Sequence, residues 1–87
     1  MKHASQSTLV ELSELLDHLR SIEGLVEKRP GVFYRRSKAF LHFHEDPAGI
    51  FVDLRLRSDD PFIRLRVTSG AERSDLIAKI ERSLGST

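Results

Sequence analysis

Cysteine and tryptophan are absent from the chain, proline occurs three times and methionine once. Without thiols there is no disulfide framework, no cysteine-type zinc site and no thiol nucleophile, so stability has to come from packing. No run approaches the roughly 18 to 20 apolar residues that span a bilayer. The opening MKHASQSTLVEL also lacks the continuous apolar core of a secretory signal, so the cytoplasm is the expected compartment and no membrane partner is expected. An excess of one charge is missing too. Fourteen Lys and Arg against 13 Asp and Glu leave a formal net charge of +1. The isoelectric point near 8.2 lies below the roughly 9 or more of a dedicated nucleic-acid domain. Nothing resembles a Gly-rich phosphate loop or a strand-turn-helix nucleophile elbow, so no catalytic residue is assigned and the sequence points away from an enzyme.

What is present belongs to a folded domain. The chain has 87 residues, 39% hydrophobic and 31% charged, which suits one globular unit that buries roughly two-thirds of its unfolded surface. Charge is segregated along it. Residues 1–27 carry five acids against Lys2 and Arg20, whereas residues 28–44 carry Lys28, Arg29, Arg35, Arg36 and Lys38 and no acid. That run is read as a solvated loop and hairpin tip with no role of its own.

Residues 1–6 have no periodic pattern and are expected to form a loose tail. Thr8 and Glu11 then read as a capping box. Leu9, Leu12, Leu15, Leu16, Leu19 and Ile22 make one apolar stripe, which predicts a helix to about Glu23. Gly24 and the Arg29-Pro30-Gly31 turn end it. From Val32 the period changes to two, predicting strands over Val32–Arg35, Ala39–His44, Ile50–Arg57 and Phe62–Thr68. Short links between them favour an antiparallel meander. Beyond Ser69-Gly70, Leu76, Ile77, Ile80 and Leu84 mark a second helix. The expected architecture is α+β, in the order α-β-β-β-β-α: a four-stranded antiparallel meander with two helices packed on one face, in a single domain.

Alternation along the strands sorts their side chains. Ala39, Leu41, Phe43, Ile50, Val52, Leu54, Leu56, Ile63, Leu65 and Val67 would face the helices, leaving Phe40, His42, His44, Phe51, Asp53, Arg55, Phe62, Arg64 and Arg66 outside. Pairing Phe43 with Val52 sets His42 opposite Asp53 and Phe40 opposite Arg55. Pairing Leu54 with Leu65 sets Asp53 opposite Arg66 and Arg55 opposite Arg64, so His42, Asp53 and Arg66 form one row and Phe33, Phe40, Arg55 and Arg64 the next.

The candidate binding face is therefore Phe40, His42, Asp53, Arg55, Arg64 and Arg66. The favoured reading is a non-catalytic binding or self-association module, because opposed Arg55 and Arg64 would repel each other unless an acidic partner or second copy relieved them. One alternative is single-stranded nucleic acid, stacked on Phe33, Phe40 and Phe51 and held by the arginines, though the acids among the same strands argue against it. Another is a metal site or an enzyme built on His42, His44 and Asp53, since alternate histidines on a strand project the same way. The third ligand could be Asp53, or Glu45 or Asp46 curling back, and H-x-H near acids lacks the spacing specificity of a Cys-x-x-Cys pair, so no metal ligand set is assigned and no cofactor is called for.

The segment AFLHFHEDPAGIFVDLRL, the leading helix, Arg29-Pro30-Gly31, His42, His44 and Asp53 together resemble small bacterial proteins, common in actinobacteria, grouped with a so-called luciferase domain. The resemblance covers about half of the chain. It does not imply light emission, and no catalytic residue is carried over from it. The chain also resembles the frataxin-like α+β proteins, whose antiparallel sheet has helices on one side. Both resemblances imply the same architecture.

Overall fold

The leucine stripe does form helix, in two pieces. The computed structural model describes residues 1–85 and places β1 at Lys2–His3, α1 at Gln6–Glu11 and α2 at Ser13–Ser21. The two helices meet at Leu12 (φ −88°, ψ 9°), where the expected single helix bends while keeping its leucines inward. Leu12, Leu15, Leu16 and Leu19 are all buried. The cap is not the expected Thr8–Glu11 box. Ser5 is the N-cap and accepts from the Thr8 backbone N–H, and the carboxylate of Glu45, forty residues away, accepts from the Ser5 N–H. Glu11 accepts from Arg73 Nη2 at 3.0 Å instead.

Strands follow as β2 (Leu25–Arg29), β3 (Val32–Arg35), β4 (Lys38–Asp46), β5 (Gly49–Leu54) and β6 (Ile63–Arg66), and α3 (Gly70–Gly85) closes the order. The sheet is an open antiparallel meander, β2-β3-β4-β5-β6, with β1 paired to β4. The fold class and meander are as the sequence predicts, but the four expected strands become five in the meander plus β1. β2 carries little pattern because it is an edge strand with only Leu25 buried. Lys2–His3, expected in a loose tail, instead pairs with β4 (Lys2 with Glu45, His3 with His44). β3 pairs with β4 over residues 38–42, so β1 takes over the same edge of β4 where β3 stops. Ala4 N–H to Phe43 O and Phe43 N–H to Gly31 O bridge the junction.

Two tight turns set the hairpins. Pro30-Gly31 lies between Arg29 and Val32, and Gly31 has φ +76°, the geometry of a Pro-Gly type II turn. Arg36-Ser37 joins β3 to β4 with both residues at positive φ, 52° and 67°. This is the twist a two-residue hairpin needs, built from residues that adopt it at a cost of about 1 to 2 kcal/mol each.

One core serves the whole molecule. Leucines of α1 and α2, Leu76 and Ile80 of α3, Leu41, Phe43, Val52 and Leu54 of the sheet, and Val67 just after β6 pack together. The helices thus share one face of the sheet. At roughly 1.5 to 3 kcal/mol for each large apolar side chain buried, this cluster is the principal stabilising term. Two expected outer residues belong to it as well: Phe33 is fully buried and Phe40 is 2% exposed. Phe33 faces in because it pairs with the inward Leu41, and Phe40 does so because of a bulge. β3 pairs Phe33 with Leu41 but Tyr34 with Ala39, leaving Phe40 as the extra residue whose side chain is re-aimed inward. Ile63 departs the other way. It sits on an edge strand beyond the helices and is 46% exposed.

Candidate histidine-aspartate site

The centre of the outer face is built by the β4–β5 ladder. Its register is the expected one, with Phe43 opposite Val52 and His42 opposite Asp53. Phe40 also lies beside Arg55, joined by the Arg55 N–H to Phe40 O bond of 2.8 Å. The β5–β6 register differs by two residues from that expected. Leu54 pairs with Ile63 and Asp53 with Arg64, so the row across the sheet is His42, Asp53 and Arg64. Arg66 is opposite Phe51 and reaches Glu72 at 3.2 Å. The expected Arg55–Arg64 opposition therefore does not occur. The cause is the β5–β6 link, which runs from Arg55 to Phe62 and is long enough to leave the register open to a two-residue slip.

Each charge on this face has a local partner. Arg64 donates to both Asp53 oxygens, Nε to Oδ1 at 2.7 Å and Nη2 to Oδ2 at 2.8 Å. Arg55 donates to the Ala39 carbonyl and stacks over Phe62, 4.5 Å from its centroid. Phe62 also packs on His42, ring centroids 5.1 Å apart.

Around Asp53 the two histidines converge. His42 Nδ1 and His44 Nε2 are 2.6 Å apart, and Asp53 Oδ2 is 3.1 Å from His44 Nε2 and 3.9 Å from His42 Nδ1. The carboxylate expected on His42 thus lies closer to His44, and the histidines form a pair. His3, brought by β1, stacks on His44 with centroids 5.2 Å apart. Sequence reasoning missed His3 because a two-residue strand has no readable period.

Burial and charge act together here. The side chains of His44 and Asp53 are 13% exposed and that of His42 is 23% exposed. Burial and the neighbouring His44 hold His42 below the ordinary imidazole value, only partly offset by Asp53. Arg64 holds the Asp53 carboxyl below the usual carboxylate range against the opposing effect of burial. Two ring nitrogens at 2.6 Å cannot both carry protons toward each other, so at least one must accept. The arrangement offers two imidazole nitrogens and one carboxylate oxygen to a single point. Among the described residues it is also the one cluster of three or more such groups able to hold a metal ion.

No family model matches the chain, and no curated protein or solved structure matches it significantly. The luciferase-domain and frataxin-like resemblances thus gain no support from relatives, and the site has to be read from its own chemistry. No helix among the described residues is long and apolar enough to cross a membrane.

Proposed function

We propose that this chain is a small, non-catalytic binding module whose outer sheet face takes up a divalent transition metal ion at His42, His44 and Asp53. The observation that carries the reading is the convergence of three ligand atoms at separations of 2.6, 3.1 and 3.9 Å. Ligands at 2.0 to 2.1 Å from a tetrahedral ion sit about 3.3 Å from one another, and the three separations bracket that spacing. Two imidazoles and one carboxylate suit zinc, nickel or copper better than magnesium or calcium, which prefer all-oxygen shells. The depressed affinity of His42 for protons favours its ligating, neutral form. Arg64 fixes the carboxylate from behind, as outer partners of metal ligands do.

The competing readings lose their motives in this geometry. Self-association rested on opposed arginines, and Arg64 and Arg55 are instead engaged within the chain. Base stacking rested on Phe33, Phe40 and Phe51, of which Phe33 and Phe40 are core residues and Phe51 is half-buried.

Calorimetric titration of the metal-free chain with zinc and nickel should give one site tighter than about 10 μM, and H42A/H44A should weaken it at least about 100-fold. Wild-type protein with no site tighter than about 100 μM would end the metal reading.

A further inference from the structure

At the end of the sheet away from β1, the β3–β4 hairpin and the segment after β5 enclose a cleft of about 660 Å³, within the range of small-molecule sites. Among the described residues its lining carries Arg35, Arg36, Lys38, Arg55 and Arg57 against one carboxylate, Asp59. We propose that this cleft is a binding site for a small molecule bearing a diphosphate group, a site distinct from the histidine cluster.

The charge has not been neutralised internally. Among the described residues no ion pair engages Arg35, Arg36 or Lys38, and Arg57 meets Asp59 only at 4.0 Å, both side chains more than three-quarters exposed. Glu23 shares a neighbouring hollow with Arg35 and Arg36. Ser83 brings the last turn of α3 to the rim, where a helix end contributes about half a negative charge. Neither offsets five cations. Guanidinium groups gathered along one cleft, those of Arg35 and Arg36 with no ion pair among the described residues, favour phosphate, whose oxygens match their paired N–H donors.

The cations come from two segments, Arg35, Arg36 and Lys38 from the hairpin and Arg55 and Arg57 from beyond β5, which gives each of two phosphoryl groups its own set. Arg55 is already fixed by the Ala39 carbonyl and the Phe62 ring, so part of the site is set before a ligand arrives. The hairpin turn adds an independent observation. Arg36 sits at φ +52°, a position where asparagine or glycine would be relaxed, and strain of this kind concentrates at functional sites.

A nucleic-acid strand fits less well. Among the described residues no aromatic side chain lines the cleft, so a base has nothing there to stack on. Ala39 and Leu56 supply its apolar surface.

The test is titration of the full chain, in metal-free buffer at low salt, with inorganic pyrophosphate followed by amide NMR shifts. Saturable binding centred on Arg35–Ala39 and Arg55–Asp59 is expected, about tenfold tighter than for orthophosphate. Arg36→Asn, which suits the turn, and Lys38→Gln should each weaken it about tenfold, while Arg29→Gln, outside the cleft, leaves it unchanged. H42A/H44A should also leave it unchanged, which separates this site from the metal reading. No saturation by about 5 mM, equal weakening by Arg29→Gln, or an oligouridylate that binds the same residues more tightly than pyrophosphate would each overturn the proposal.

Discussion

The centre of the outer sheet face and the end of the sheet at the β3–β4 hairpin treat charge in opposite ways. Around His42, every formal charge is tied to a neighbour: Asp53 takes both donors of Arg64, and the histidines crowd the remaining lone pair. Around the β3–β4 hairpin, cations are gathered with one acid among the described residues, and Arg36, Lys38 and Arg57 are exposed. The first arrangement suits a site that presents neutral and anionic donors to a cation. The second suits a site that presents cations to an anion. A near-neutral total charge thus hides two local fields of opposite preference, and net charge alone excludes neither ligand.

Removing Asp53 should break the comparison most. Asp53→Asn strands Arg64 beside two imidazoles and should lower metal-free stability by about 1 to 2 kcal/mol, read by urea denaturation. An unchanged midpoint would mean that the network is not holding the sheet. Ser37→Gly should sharpen it in the other direction. Relaxing the φ +67° residue should raise stability by about 0.5 to 1 kcal/mol without removing a cation, so pyrophosphate affinity should hold as the melting temperature rises.

The smallest effect is a control for pairing elsewhere. Glu27 accepts from Arg20 Nε and Nη2 and from the Gly31 N–H, and the Arg20 bond, chiefly, holds its carboxyl below the usual range. Stability from this group is complete above the ordinary carboxylate pKa of about 4.3 and is lost as pH falls through the lower folded value. Glu27→Gln should therefore cost about 0.5 kcal/mol at neutral pH and nothing at acid pH. A loss that persists at acid pH would place the effect in packing rather than charge.

How far the sequence led depends on how many constraints each residue met. His42 could be set opposite Asp53 because Phe43 and Val52 both had to face the core and the connecting turn was short. Arg64 was set opposite Arg55 rather than Asp53, because Ile63 and Leu65 satisfy the alternation equally well in either of two registers. Phe40 was misplaced because strict alternation has no provision for a bulge, and nothing in KAFLHF marks one. Ser69-Gly-Ala-Glu72 holds a cap that the sequence reading passed over, although its spacing marks it. Glu72 accepts from the Ser69 N–H and Ser69 from that of Glu72, the reciprocal cap its S-x-x-E spacing announces. The His44 partner of Asp53 required side-chain positions that no period supplies.

The Glu45 contact with Ser5 bears on the order of folding. A six-residue helix such as α1 is far too short to persist alone, and its cap is completed only by a carboxylate that β4 must first put in place. α1 and β1 should therefore assemble late, onto a preformed meander, and their amides should exchange with solvent together and ahead of those of β4 and β5. His3 joins His44 only as part of that last unit, so the third imidazole arrives at a pair already formed.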